Sequence, residues 1–231
     1  AQHDALTGLP NRKLTLEFAE QLLASARRGG KQIGVLFIDM DRFKPINDTH
    51  GHGVGDAVLK EIARRLKACV RAEDTVGRLG GDEFIGVLSH VHDSSDAGQA
   101  ARHIIDLLNQ PYHIACREVD TSPSIGIALY PGDGADMEQL IRNADIAMYH
   151  AKEKGRNNFQ FYTQQLNDNA ALARHIESQL RSGLEQGEFQ LHYQPVVDVS
   201  THALVGVEAL MRWPAMGLNP NDFIPVAETS G

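Results

Sequence analysis

Apolar residues recur every three or four positions in several stretches of the chain, which is the pattern of an amphipathic helix. The first stretch, residues 11–28, places Leu14, Phe18 and Leu22 on one face and ends at a cation followed by Gly29, as helices commonly do. The same pattern predicts helices over residues 53–70, 95–109, 136–154, 163–186 and 221–229.

Apolar runs of strand length lie between these helices. The run at residues 33–38 is apolar throughout, which predicts a buried central strand that ends abruptly at Asp39. Because Gly80 and Gly81 separate two short apolar runs, they predict a hairpin between residues 76–79 and 83–88. Further strands are predicted at residues 112–116, 124–130, 158–162, 189–197 and 204–211.

The order of these elements predicts an α/β (α+β) fold in which helices cover one mixed central sheet. We expect a first domain at residues 1–162, a linker helix at 163–187 and an incomplete unit at 188–231, because about 45 residues cannot bury a proper core. The chain opens at Ala1, without a methionine, in the middle of a structured-looking motif. This favours a piece of a longer protein whose membrane or sensor segments lie upstream.

Composition narrows the classes of function. Of the 231 residues 42% are hydrophobic, and 22 basic against 30 acidic residues give a net charge of −8. This argues against a nucleic-acid binder, which needs clustered Lys and Arg, but a small phosphorylated ligand needs only a few local cations. Cys69 and Cys116 form no CxxC pair, so we expect reduced thiols and no structural zinc. No apolar run approaches the roughly 20 residues that span a bilayer, and we expect this portion in the cytoplasm.

Carboxylates follow two of the predicted strands. Asp39 ends the central strand and Asp82 lies at the tip of the neighbouring hairpin, and ligands of α/β sheets bind at the carboxyl ends of strands. Two carboxylates can hold Mg²⁺ when substrate phosphates supply the other ligands. Gly80 and Gly81 would then let a substrate approach the backbone closely. Taken alone, however, the hairpin fits an ordinary turn with solvated acids better than a binding site.

The segment DMDRFKPINDTHGHGVGD at residues 39–56 raises several alternatives. It is not a calcium loop, because Phe43 and Lys44 stand where an EF-hand needs an oxygen ligand and a glycine. Its glycines fit neither a dinucleotide fingerprint nor a P-loop. Asn47 and Asp56 flank these glycines and together can read the edge of a guanine, although Asp56 alone is an ordinary first-turn acid of a helix.

Two further groups of polar residues allow both a structural and a functional interpretation. Lys152 and Arg156, one helical turn apart near a helix end, either complement the helix dipole or clamp a triphosphate. The HxH pairs at residues 50–52 and 90–92 lack a convincing third ligand for a transition metal.

Ordered motifs across residues 1–162 resemble those of the GGDEF domain, the diguanylate cyclase family. These are DALTGLPNR at 4–12, the segment at 39–56, RLGGDEF at 78–84, SIGIA at 124–128 and ADIAMYHAKEKGRN at 144–157. The resemblance implies a nucleotide-cyclase-like palm fold. It also implies an enzyme that condenses two GTP molecules into cyclic di-GMP with release of pyrophosphate.

The resemblance implies roles for individual residues. Asp39 and Asp82 would bind two Mg²⁺ or Mn²⁺ ions per active site, with help from the Met40 carbonyl, and Glu83 would handle protons. Each domain would hold one GTP, so a homodimer would be needed for catalysis. The residues implied in substrate binding are Phe43, Lys44, Asn47, Asp56, Gly80, Gly81, Lys152 and Arg156.

Two other stretches carry resemblances. Arg71 and Asp74, at a fixed distance before RLGGDEF, match the family's RxxD inhibitory site and imply feedback inhibition by cyclic di-GMP. Residues 191–213 resemble the start of an EAL domain, the cyclic di-GMP phosphodiesterase family, with Glu208 as its first metal ligand. The segment after Trp213 is shorter than is usual there, and the other ligands would lie beyond the last residue, so we expect no phosphodiesterase activity from this fragment.

These observations leave two main hypotheses from different classes. The first is an active, metal-dependent diguanylate cyclase, and the second is a catalytically weak GTP-binding module that controls an attached EAL phosphodiesterase. The completeness of the motifs favours the first. A receptor that binds cyclic di-GMP through Arg71 and Asp74 without turnover is a weaker third.

Overall fold

The computed structural model describes residues 2–114 and 117–230, without the side chains of the last two, so Cys116 lies outside the described residues. The chain divides into two compact units, one that ends at Asn167 and one that begins at Asp168. The division falls inside a helix. None of the described helices has the length and apolar character needed to cross a membrane.

The first unit contains a mixed sheet and the helices that cover it. Its elements are α1 (Arg12–Gly29), β1 (Gln32–Met40), α2 (Phe43–His50), α3 (His52–Cys69), β2 (Thr75–Gly80), β3 (Glu83–Val91), α4 (Ser94–Leu108), β4 (Tyr112–Ile114), β5 (Arg117–Val119), β6 (Pro123–Tyr130), α5 (Met137–Glu153) and β7 (Phe159–Phe161). The strands of the mixed sheet lie in the order β2-β3-β1-β6-β7, in which the central strand β1 is antiparallel to β3 and β6, and β7 is parallel to β6. The predicted mixed sheet covered by helices is therefore confirmed.

Strand β1 is buried on both faces, as its continuous apolar run predicts. Leu36 and Ile38 join a core cluster that includes residues of α3 and α4. Val35 and Phe37 join a second cluster with residues of α1 and α5. Because side chains alternate along a strand, Asp39 continues the row of Val35 and Phe37 toward the α1 and α5 side.

Helix α5 lies directly on the backbone of β6. A Cβ atom at Gly126 would be 1.9 Å from the Ala144 carbonyl oxygen and 2.2 Å from the Met148 nitrogen. Only a residue without a side chain permits this approach. It brings the C-terminal part of α5 close to the end of β1.

The structure differs from the sequence prediction at two places beside β1. Helix α2 was not predicted, since FKPINDTH contains several poor helix formers; Phe43 and Ile46 are nevertheless buried and join the first core cluster. The hairpin turn is also displaced by one residue. Gly80 pairs with Glu83, so the turn consists of Gly81 and Asp82 rather than of the two glycines.

The second unit is small. It contains most of α6 (Gln164–Glu185), followed by β8 (Gln190–Val197), β9 (Leu204–Arg212), a short 3-10 helix (Pro214–Met216) and α7 (Pro220–Ser230). Ile176, Trp213 and Phe223 form its buried cluster. Every residue of β8 is exposed, although β8 pairs with β9 along its whole length.

Candidate active site at the end of strand β1

Three carboxylates meet where β1 ends. Asp39 is buried and lies opposite Glu83 on β3. The turn places Asp82 next to them, and the Met40 N–H donates to the Asp82 carbonyl at 3.3 Å. The reciprocal bond, from the Asp82 N–H to the Met40 carbonyl, is not formed between these two described residues. The end of the sheet therefore offers carboxylates and a neighbouring backbone carbonyl.

Crowding of these acids changes their protonation. Burial raises the pKa of Asp39 to about 6, and the charges of Asp82 and Glu83 also act to raise it, while Lys152 acts to lower it. Burial likewise raises the pKa of Glu83, helped by the charges of Asp145 and Asp82. Such a group of mutually repelling, partly buried acids is typical of functional sites.

Two cations offset this negative charge, Lys152 beside Asp39 and Arg12, whose charge acts on Glu83. Lys152, near the end of α5, places its Nζ 2.7 Å from Oδ1 of Asp39. Asp145, about two helical turns earlier on α5, acts electrostatically on Glu83 and was not predicted as a site residue. Its spacing from Lys152 puts both on one helix face, which was the available signal in the sequence.

The donor set fits a hard cation. Carboxylate and carbonyl oxygens are ligands that Mg²⁺ and Mn²⁺ prefer. Among the described residues, no group of three or more His, Cys, Asp or Glu side chains is positioned to hold a metal ion. A metal bound to Asp39 and Asp82 would therefore need the Met40 carbonyl, water or substrate oxygens to complete its coordination.

The glycines of the hairpin leave open space. A Cβ atom at Gly80 or Gly81 would meet nothing within 4 Å, and both residues are exposed. Their φ angles of 152° and 52° also disfavour larger residues. The backbone beside Asp82 is therefore accessible to a ligand.

The two residues predicted to contact guanine lie on successive helices, Asn47 in α2 and Asp56 near the start of α3. A Cβ atom at Gly55 would be 2.0 Å from Oδ1 of Asn47 and 3.3 Å from Cζ of Phe43. Asn47 thus packs against the first turn of α3, next to Asp56, which is exposed. Lys44 is exposed in the first turn of α2.

The structure separates Arg156 from Lys152. Helix α5 ends at Glu153, and Arg156 lies beyond it in a left-handed conformation. Whereas Lys152 contacts Asp39, Arg156 lines an open cleft of about 520 Å³. The residues around this cleft are Asp41, Arg42, Asn109, Asp120, Thr121, Ser122, Gly155, Arg156 and Asn157.

The predicted RxxD site forms a compact turn. The Arg71 N–H donates to Oδ2 of Asp74 at 3.1 Å, and the Ser89 N–H donates to Oδ1 at 2.9 Å. Both carboxylate oxygens of Asp74 are therefore engaged within the protein, while Arg71 is exposed. In the second unit, Glu208 is exposed on β9 opposite Gln194.

Comparison with known families agrees with this architecture. The family described as "Diguanylate cyclase, GGDEF domain" matches residues 1–158, and the family described as "EAL domain" matches residues 177–231. Among solved structures, the GGDEF domain of YfiN (TpbB) from Pseudomonas aeruginosa has a TM-score of 0.70 at 42% identity, covering 74% of this chain and 98% of that chain.

Curated relatives match over the whole chain. MucR of Pseudomonas aeruginosa, named a bifunctional diguanylate cyclase/cyclic di-GMP phosphodiesterase, is 47% identical across all of this chain and 34% of its own length. NbdA of the same organism, named a cyclic di-GMP phosphodiesterase, is 38% identical across all of this chain and 30% of its own length. The chain thus spans about a third of the length of these relatives.

Proposed function

Because the chain belongs to the GGDEF family and continues into a partial EAL domain, we propose that its first unit is a diguanylate cyclase. It would condense two GTP molecules into cyclic di-GMP and release two pyrophosphates. The observation that carries this proposal is the meeting of Asp39, Asp82 and Glu83 with Lys152 at the end of the central strand.

Divalent metal is general in this family, and the oxygen donors at this end of the sheet fit it. In the proposal, the carboxylates of Asp39 and Asp82 and the Met40 carbonyl hold two Mg²⁺ or Mn²⁺ ions per active site. When bound, such ions lower the pKa of the ribose 3′-hydroxyl of one GTP and brace the α-phosphate of the other. Glu83, whose pKa is raised, would take or hold a proton during this step.

The remaining site residues are assigned to the two ends of the nucleotide. Asn47 and Asp56 read the guanine edge, where an amide and a carboxylate supply both donors and acceptors. The phosphates contact Lys44, Lys152 and Arg156. Phe43 shapes the pocket wall, and Gly80 and Gly81 give the nucleotide access to the backbone.

Two copies of the chain must meet for turnover. Each unit holds one GTP, and each 3′-hydroxyl attacks the α-phosphate held by the other copy. A monomer is therefore inactive in this proposal, and the rate per molecule rises with protein concentration.

Feedback inhibition is part of the proposal. Arg71 is exposed and can contact guanine and phosphate of cyclic di-GMP bound at the RxxD turn. Asp74 already accepts hydrogen bonds from Arg71 and Ser89, so its main contribution is to hold the turn in shape.

A second function also has support. NbdA matches this chain along its whole length and is named a phosphodiesterase. A GGDEF unit of this kind can therefore serve as a GTP-binding module that controls an attached EAL phosphodiesterase, with little turnover of its own.

One assay separates the two functions. The 231-residue chain is incubated at high concentration with GTP and Mg²⁺, and cyclic di-GMP is measured by chromatography, with Asp82→Ala as the control. Product from the wild type alone supports the cyclase. Tight GTP binding without product would replace it with the regulatory module.

A further inference from the structure

A second buried acid follows β1 and plays no part in the proposed chemistry. Asp41 is only 4% exposed, and its carboxylate accepts three hydrogen bonds. Oδ2 accepts from Ser122 Oγ at 2.6 Å and from the Asn157 N–H at 3.1 Å, and Oδ1 accepts from Ser124 Oγ at 2.7 Å. Asp41 thus joins the end of β1 to the start of β6 and to the loop after α5.

The loop after α5 has an unusual backbone. Gly155, Arg156 and Asn157 have φ angles of 102°, 64° and 51°. The left-handed region is unfavourable for a non-glycine residue, so two in succession need anchoring contacts. The bond from the Asn157 N–H to Asp41 is one anchor, and the bond from the Arg156 N–H to the Ala151 carbonyl, at 3.1 Å, is another.

This loop determines where the Arg156 side chain lies. Arg156 is exposed and lines the cleft of about 520 Å³ beside Arg42. Within the described part of the chain, neither guanidinium forms a side-chain ion pair. Both charges are therefore available to an anion that enters the cleft.

We propose that Asp41 is a positioning residue for triphosphate binding. By accepting the Asn157 N–H, it holds the left-handed loop and so keeps the Arg156 guanidinium in the cleft, where it contacts the outer phosphates of GTP. This inference rests on the proposed function, since it takes GTP as the ligand. It assigns to Asp41 an effect on nucleotide affinity that passes through Arg156 alone.

A double-mutant cycle tests this assignment. The ligand is a GTP analogue with a methylene group between the α- and β-phosphates, which cannot release pyrophosphate, and its binding is measured by calorimetry with Mg²⁺. We expect Arg156→Ala to weaken binding roughly tenfold, as loss of a charge-assisted contact does. We expect Asp41→Asn to weaken it roughly fivefold and to add nothing in the Arg156→Ala background, because both changes remove one contact.

Control measurements separate positioning from general damage. Ser124→Ala removes a donor to the other oxygen of Asp41 and should leave analogue affinity within about twofold. Affinity for GMP, which lacks the outer phosphates, should be unchanged by Asp41→Asn. If Asp41→Asn does not fold, Ser122→Ala, which disturbs the oxygen shared with Asn157, replaces it in the cycle with a smaller expected loss.

Each outcome decides the inference. If Asp41→Asn folds and binds the analogue as tightly as the wild type, or if its loss persists in full in the Arg156→Ala background, Asp41 does not act through Arg156. An equal loss of GMP affinity would also overturn the inference. A wild-type chain that binds no analogue would overturn the proposed function itself, and the inference with it.

Discussion

Asp39 and Asp41 stand two positions apart in one short stretch of sequence, both are buried, and their surroundings are opposite. Asp39 lies beside the acids Asp82 and Glu83 and forms an ion pair with the amine of Lys152. Asp41 is surrounded by donors, two hydroxyls and one backbone N–H. Asp39 keeps oxygen atoms available to a ligand, although its buried charge destabilises the fold. Asp41 uses its oxygen atoms in hydrogen bonds that join three chain segments. The difference between a functional and a structural acid thus lies in what surrounds each carboxylate.

The largest expected effect distinguishes these two acids directly. Asp39→Asn should lower the rate of cyclic di-GMP formation by roughly 1000-fold or more, because a metal ligand is lost. It should not lower the Tm, since a charge that is disfavoured by burial is removed. Asp41→Asn should lower the free energy of unfolding by about 1–3 kcal/mol, as expected when buried donors lose their acceptor, and retain measurable turnover.

Chromatography of the product and thermal melting check both variants. If folded Asp41→Asn loses as much activity as Asp39→Asn, the two acids do not differ in function.

The close approach of α5 to the sheet brings Lys152 to Asp39. Gly126→Ala should destabilise the first unit by about 3 kcal/mol, because the added carbon would overlap the backbone of α5. Gly86→Ala in β3, on the other side of β1, is a matched control, since its new carbon would lie at ordinary contact distance, 3.7 Å from Leu36. Denaturant unfolding measures both. Equal stabilities would show that α5 does not depend on this close approach.

Asp74 in the RxxD turn is a third acid of interest. Like Asp41, it accepts hydrogen bonds with both carboxylate oxygens. The exposed Arg71 should therefore carry most of the ligand contact. Arg71→Ala should raise the cyclic di-GMP concentration that halves the rate by about 30-fold, the loss expected for charge-assisted hydrogen bonds. Lys67→Ala, which removes an exposed cation at the end of α3, should change it little. Unaltered inhibition of Arg71→Ala would show that the turn is not the inhibitory site.

The raised pKa of Asp39, about 6, predicts a pH dependence of metal affinity. A proton competes with the metal for this carboxylate, so affinity should fall about tenfold between pH 7 and pH 5. Without metal, the stability of the fold changes with pH in the opposite direction to the metal affinity. The folded state holds the proton more tightly than the unfolded state, so the contribution of Asp39 to stability increases as the pH falls through 6. Calorimetric Mn²⁺ titrations at pH 7 and pH 5 measure the metal affinity. An affinity that does not change with pH would contradict this prediction.

Much of this arrangement could be predicted from the sequence, because it depends on periodicity. The continuous apolar run of β1 predicts a central strand, and Asp39 follows at its end. Helix α2 could not be predicted, since its poor helix formers are stabilised by the burial of Phe43 and Ile46 in the core.

Features that depend on tertiary contacts could not be predicted from the sequence either. The spacing of Lys152 and Arg156 is that of one helical turn, but α5 ends at Glu153 and Arg156 lies in a left-handed loop beyond it. The spacing of Asp145 from Lys152 places both on one face of α5, but the effect of Asp145 on Glu83 depends on how α5 packs against the sheet, which local sequence does not encode. The donors around Asp41 likewise come from two segments distant from it in sequence, the start of β6 and the loop after α5.

Metal binding most directly distinguishes Asp39 from Asp41 at the end of β1. Mn²⁺ is titrated at pH 7 into the wild-type chain, Asp39→Asn and Asp41→Asn, and free ion is measured by electron paramagnetic resonance. We expect the wild type and Asp41→Asn to bind Mn²⁺ with similar affinity, and we expect that Asp39→Asn, although folded, does not bind it. Retention of wild-type affinity by Asp39→Asn would contradict the assignment of this carboxylate to the metal.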